Sequence, residues 1–160
     1  MDEIELKSTL EIKQWWMYNE WSEFCQFSKF IREAFPNREE LHPMYKNPDV
    51  EKILSIFHEV RGKWLLWQEP RETATWTKIE TQNLTLQWID ENVEVLYPSD
   101  SKFEVTCLNG IVLWDAGQNL NNQTKKRFEL YEGNHRVSAW KFNRLPLTLP
   151  TILYIGRPKN

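Results

Sequence analysis

Cysteine and glycine are scarce in this 160-residue chain, and neither sign of charge dominates. Two cysteines, Cys25 and Cys107, cannot build the disulfide framework of a small secreted domain. Both lie among apolar neighbours, where a reduced thiol packs as a small hydrophobe. His42, His58 and His135 stand apart from one another and from the cysteines, so no C-x2-C or H-x3-H spacing prepares a structural zinc. Twenty Lys and Arg against 23 Asp and Glu leave a formal charge of −3, which withholds the uniform basic field that holds a nucleic-acid backbone. No apolar run approaches the roughly 18 residues of a membrane span, and the opening Met1-Asp2-Glu3-Ile4-Glu5 is acidic where a secretion signal is basic. The expectation is a cytoplasmic chain without a membrane partner or a strong nucleic-acid signal. The P-loop, Rossmann, G-x-S-x-G, H-E-x-x-H and EF-hand patterns are missing too.

What the chain does contain is 41% apolar and 14% aromatic residues, a composition that folds rather than staying disordered. A chain of this length buries roughly 68–70% of its unfolded surface, enough for a core without metals or disulfides. Nine tryptophans are scattered from Trp15 to Trp140, which suits large core fillers better than one stacking platform. With no internal repeat and no compositional break, the chain reads as a single α+β domain over 1–160. Residues 1–62 form a mainly helical portion and residues 63–160 a small mixed-sheet portion.

Local patterns fill in this outline. Ser8-Thr9-Leu10-Glu11 has the S-x-x-E form of a capping box. An aromatic helical stretch over 10–35, with Trp21, Phe24, Cys25, Ile31 and Phe35 near one stripe, ends at Pro36 and offers a face to the core or to a protein partner. Asn47 can cap a second helix, with Pro48 in its first position, Val50, Ile53, Leu54, Phe57 and Val60 as the buried stripe, and Gly62 as its stop. Phe103, Val105 and Cys107 alternate up to Asn109-Gly110, the strongest short hairpin signal, beyond which Ile111, Leu113 and Asp115 continue as the return strand. Asp115 then reads as an exposed hairpin-end carboxylate. Residues 84–97 fit either two strands or a short helix, and 118–124 reads as an exposed loop.

Chemistry concentrates at Tyr131-Glu132-Gly133-Asn134-His135-Arg136. A strand, Phe128 to Tyr131, runs through a glycine into a helix from Asn134 to Phe142, and a further strand from Leu149 to Ile155 follows. The first amides of a helix lack intrahelical partners, and the helix dipole adds positive potential, so such a junction is suited to an anion. Gly133 lets a ligand approach the backbone. Arg136 can grip a phosphate with its planar fork, and His135 can donate a hydrogen bond or exchange a proton near neutral pH. Glu132 is adjacent as a carboxylate base, although strand alternation points it away from Tyr131.

This segment resembles the signature of the ParB/sulfiredoxin-like superfamily, an Asp/Glu-Gly-x-His-Arg or related sequence at a strand-to-helix junction, and the likeness covers about 30 residues, Phe128 to Ile155. The resemblance implies a stand-alone domain that binds a nucleotide or other phosphate ligand, with a magnesium-associated nucleoside triphosphate as the cofactor class. Gly133, Asn134, His135 and Arg136 would be the phosphate loop, and Glu132 and His135 the catalytic candidates for phosphoryl transfer or hydrolysis. Sulfiredoxin carries its catalytic cysteine where this chain has Asn134, and ParB partition proteins continue into a helix-turn-helix where this sequence ends, so neither of those activities follows. Gln68-Glu69-Pro70-Arg71 is faintly similar to the Gln-Pro-Arg of the ParB N-terminal box. The competing expectation is a non-enzymatic acidic interaction protein, of immunity or inhibitor type, that uses the aromatic helical surface over 10–35.

Overall fold

The computed structural model describes residues 1–21, 29–60, 74–117 and 126–159. It is an α+β fold whose contacts group into two compact units. Lys7–Glu72 form one, and Met1–Leu6 together with Thr73–Asn160 form the other. Phe24, Cys25, Phe27, Gly62, the Gln68–Arg71 stretch and the loop 118–124 lie outside the described residues.

The Lys7–Glu72 unit is helical. Helix α1 (Leu10–Asn19) and helix α2 (Lys29–Ala34) are followed by a 3-10 turn (Arg38–Leu41) and helix α3 (Val50–Val60). The expected capping box does not form: Thr9 takes the cap position without a side-chain capping bond, and Ser8 Oγ accepts from the Leu10 amide at 3.4 Å. The α3 start also differs from expectation. Asp49, not Asn47, caps it, accepting from the Lys52 amide at 3.1 Å, because its carboxylate stands three residues before that otherwise unmatched donor. Pro48 therefore lies outside the helix. Ile53 and Phe57 are buried, whereas Val50 and Leu54 are exposed, so the apolar stripe is narrower than its sequence spacing implied. Trp15, Trp16, Ile31 and Phe35 are buried, as core fillers should be.

The second unit is built on six strands. They are β1 (Ile4–Glu5), β2 (Thr75–Thr85), β3 (Val93–Val95), β4 (Leu108–Asp115), β5 (Phe128–Glu132) and β6 (Thr148–Arg157), in the order β1-β2-β6-β4-β5-β3. Helix α4 (Leu86–Asn92) connects β2 to β3, and helix α5 (Asn134–Asn143) connects β5 to β6. The ambiguous stretch 84–97 thus resolves into a strand end, a helix and a short strand. Thr85 sets the switch by accepting the Trp88 amide at 3.0 Å.

The hairpin expected at Asn109-Gly110 is absent. Both residues lie inside β4, and 103–107 is not strand. Gly110 has φ 83° and sits where β4 slips by one residue against parallel β6, so the glycine serves a bulge rather than a turn. β4 pairs antiparallel with β5 only from Val112↔Glu132 onward, leaving Asn109 beyond that ladder. Leu86, Ile89, Val137 and Trp140 from the two helices pack with Ile111, Leu113, Leu130 and Leu153 from the sheet in one buried cluster. Trp114 stacks on Tyr131 at 6.0 Å, and Trp76 lies 6.0 Å from Trp114.

Asp115 is not an exposed hairpin end. It is 8% exposed and accepts from Arg127 Nη2 at 3.1 Å, Arg157 Nε at 3.0 Å and the Gly117 amide at 2.9 Å. Arg157 Nη2 also donates to Glu3 at 2.9 Å, so one carboxylate ties together the end of β4, the start of β5, the end of β6 and the chain entering β1. Burial pushes the Asp115 carboxyl upward, but the hydrogen bonds from Arg127, Gly117 and Arg157 outweigh it and hold the group below its ordinary value of 3.8.

Because folding lowers this pKa, the stabilisation is complete above the ordinary value and fades as pH falls through the lower, folded-state value. Asp115→Asn should cost about 1.5–3 kcal/mol at pH 7 by urea denaturation, since charge-assisted bonds are lost at one buried point. It should also flatten the acid limb of stability against pH. An acid limb of wild-type steepness in the variant would reject this account.

Candidate functional site

The junction between β5 and α5 exists because of what position 133 lacks. Gly133 caps α5 with φ 111° and ψ 17°, a left-handed conformation that residues with a Cβ rarely adopt. A Cβ there would stand 2.6 Å from Ile111 Cγ2, so the turn also presses directly against β4. The strand leading in matches the sequence reading, and Asn134, His135 and Arg136 form the first turn of a ten-residue helix.

These residues take different surroundings. Glu132 is 6% exposed and its Oε1 lies 3.9 Å from Arg136 Nη2. Arg136 Nη1 donates to the Asn109 carbonyl at 2.7 Å, which reaches the part of β4 that β5 does not pair. The guanidinium therefore bridges the helix start and the bulged strand. Asn134 is half-buried, and its Oδ1 is enclosed without a hydrogen-bond partner among the described residues. His135 is exposed, and its Nδ1 lies 3.1 Å from Ser101 Oγ.

Ser101 and its neighbours escaped the sequence reading. Pro98-Ser99-Asp100-Ser101 reads only as turn-forming residues, and nothing in its spacing announces a meeting with a histidine 34 positions later. Ser99 Oγ donates to Ser101 Oγ at 2.9 Å, and the Ser99 amide donates to Ser138 Oγ at 3.1 Å. Ser138 and His135 are three residues apart on α5 and share a face, so the loop is clipped to the helix at two successive points. No link of this kind could have been found without the tertiary arrangement.

At the opposite end of α5 a groove of about 760 Å³ is lined by Val105, Leu145, Pro146, Leu149 and Pro150, with Lys102 and Asn143 among its polar groups. Asn143 Nδ2 donates to the Phe103 carbonyl at 2.9 Å, and Trp140 Nε1 to the Pro146 carbonyl at 2.6 Å, which fix its walls. Asp90 holds the helix end through Arg144 Nη2 at 2.8 Å, raising the Arg144 pKa above its ordinary value. Burial lowers the Lys141 pKa, aided by the charge of Lys126. The groove and the Gly133 turn are separate places on one helix.

Cys107 is a free thiol and half-buried, less enclosed than its apolar neighbours implied. Among the described residues no three His, Cys, Asp or Glu side chains come together to hold a metal, and no helix is long and apolar enough to cross a membrane.

Gly133→Ala should destabilise the protein by about 2–4 kcal/mol, because a positive φ and contact with Ile111 act together. The melting temperature should fall by roughly 5–15 °C at this chain length. A melting curve unchanged from the wild type would show that the turn accommodates a Cβ and would reject the packing argument.

No protein-family model, curated protein or solved structure matches this chain.

Proposed function

We propose that the first turn of α5 binds the phosphate of a nucleotide or of another phosphorylated ligand, and that phosphoryl transfer or hydrolysis is the activity it serves. The observation that carries this reading is His135, exposed in the first helical turn beside Gly133 and hydrogen-bonded to Ser101 at 3.1 Å. An imidazole and the leading amides of a helix are complementary to the same anion.

The roles divide by surroundings. The amides of the first turn and His135 Nε2 are donors for phosphate oxygens. Asn134 opens the helix and contributes its backbone amide to that turn. Arg136 supplies positive charge and, through the Asn109 carbonyl, holds the turn against β4; Glu132 stands beside it as the counter-charge. Magnesium, brought by a nucleoside triphosphate, would rest mainly on the phosphates. His135 is the group that moves a proton. The alternative, a partner surface over 10–35, gains nothing from α1, whose Trp15 and Trp16 are buried.

Calorimetric titration of ATP, CTP and ADP with magnesium tests the reading. The wild type should bind at least one of them. Arg136→Ala should bind roughly 10- to 150-fold more weakly, the equivalent of about 1.5–3 kcal/mol, with partial rescue by Arg136→Lys. His135→Ala alters an exposed side chain and should weaken binding while keeping the wild-type melting curve. No binding by folded wild type, or equal affinities in all four proteins, would overturn the assignment.

A further inference from the structure

We propose that Ser101 is a phosphoryl acceptor, activated by His135, so that the protein transfers a phosphoryl group from a nucleoside triphosphate to its own Ser101. This rests on the nucleotide reading of the α5 turn and goes beyond it by naming the acceptor.

The 3.1 Å contact between Ser101 Oγ and His135 Nδ1 carries the argument. Ser99 Oγ receives the Ser101 amide at 3.3 Å and gives its own proton to Ser101 Oγ at 2.9 Å. Ser101 Oγ thus sits between Ser99 and His135 Nδ1, which lies 3.1 Å from it. That is the arrangement of an alcohol nucleophile and its general base, with heavy atoms within hydrogen-bond reach. Positioning comes from the Ser99 amide, which is fixed to Ser138 Oγ on the same face of α5. Ser101 is half-buried rather than enclosed and His135 is exposed, so a phosphate donor can reach both.

The step balances without a further reactant. A lone pair on Ser101 Oγ attacks the terminal phosphorus as the bond from that phosphorus to the bridging oxygen breaks. The nucleoside diphosphate leaves with the electron pair. The Ser101 proton passes to His135 Nδ1, and the imidazolium returns a proton to solvent. The phosphoserine formed stands beside the first turn of α5, where the helix dipole favours its charge.

The experiment incubates the full chain with ATP or CTP and magnesium, follows intact mass, and maps the modified peptide, while calorimetry on the same wild-type sample records nucleotide binding. The wild type should gain one phosphoryl group, mapped to Ser101. Ser101→Ala should gain none, and His135→Gln should gain it at least about 100-fold more slowly, the usual loss when a general base is removed. The mapped site on the wild type decides the matter even if a variant folds poorly. A wild type that binds nucleotide but takes up no phosphoryl group, or takes it up elsewhere, overturns the acceptor assignment and leaves the binding reading standing. A folded wild type that binds no nucleotide overturns both.

Discussion

The contact between Gly133 and Ile111 constrains everything else at this end of the sheet. β5 can turn into α5 immediately after Glu132 only because position 133 accepts a left-handed backbone and presents no side chain to β4. A longer or looser connection would carry the first helical turn away from the strand, and the Arg136 side chain could no longer reach the Asn109 carbonyl. The bulge at Gly110 completes the fit. By slipping β4 against β6, it leaves Asn109 outside the β5 ladder, and a guanidinium from the helix occupies the place where a strand partner would otherwise be. Two glycines with positive φ and one arginine thus do the work that continued strand pairing does elsewhere in the sheet.

Features that depend on neighbours in sequence were legible before the structure. The strand from Phe128, the glycine junction, the helix over Asn134–Asn143 and the closing strand all announce themselves through period and turn chemistry within thirty residues. The helices α1 and α3 were visible too, though the residues that cap them were not. Asn47 and Asp49 are both good caps, and the Lys52 amide bonded to the Asp49 carboxylate marks which turn the helix starts from. Asn109-Gly110 misled for a related reason. The dipeptide tolerates positive φ, and a hairpin and a bulge both use that tolerance. The parallel neighbour β6, forty residues later in the chain, selects the bulge.

The site was half legible. Gly133, Asn134, His135 and Arg136 are contiguous, so their common location at a helix start follows from the local pattern alone. Their division of labour does not. Arg136 reads as a ligand-gripping fork until the Asn109 carbonyl appears 2.7 Å from it, and His135 reads as an isolated imidazole until Ser101 appears beside it. Both partners come from segments that sequence spacing connects to nothing. A serine after a proline in a polar stretch has many equivalents in any chain, and its meaning arises only when the loop is clipped to α5 by Ser138.

β4 joins these parts and separates their duties. At its far end Asp115 gathers Arg127 and Arg157 into a partly buried ion cluster, where side-chain charge locks three strands together. At its near end the Asn109 carbonyl accepts from Arg136, whose other terminal nitrogen lies 3.9 Å from Glu132. Rigidity is still transmitted, because Ile111 and Leu113, between the two ends, are fully buried against α5 and the sheet. The turn is thus held by packing against Ile111, by the Arg136 bond to the Asn109 carbonyl and by the ion pair of Arg136 with Glu132.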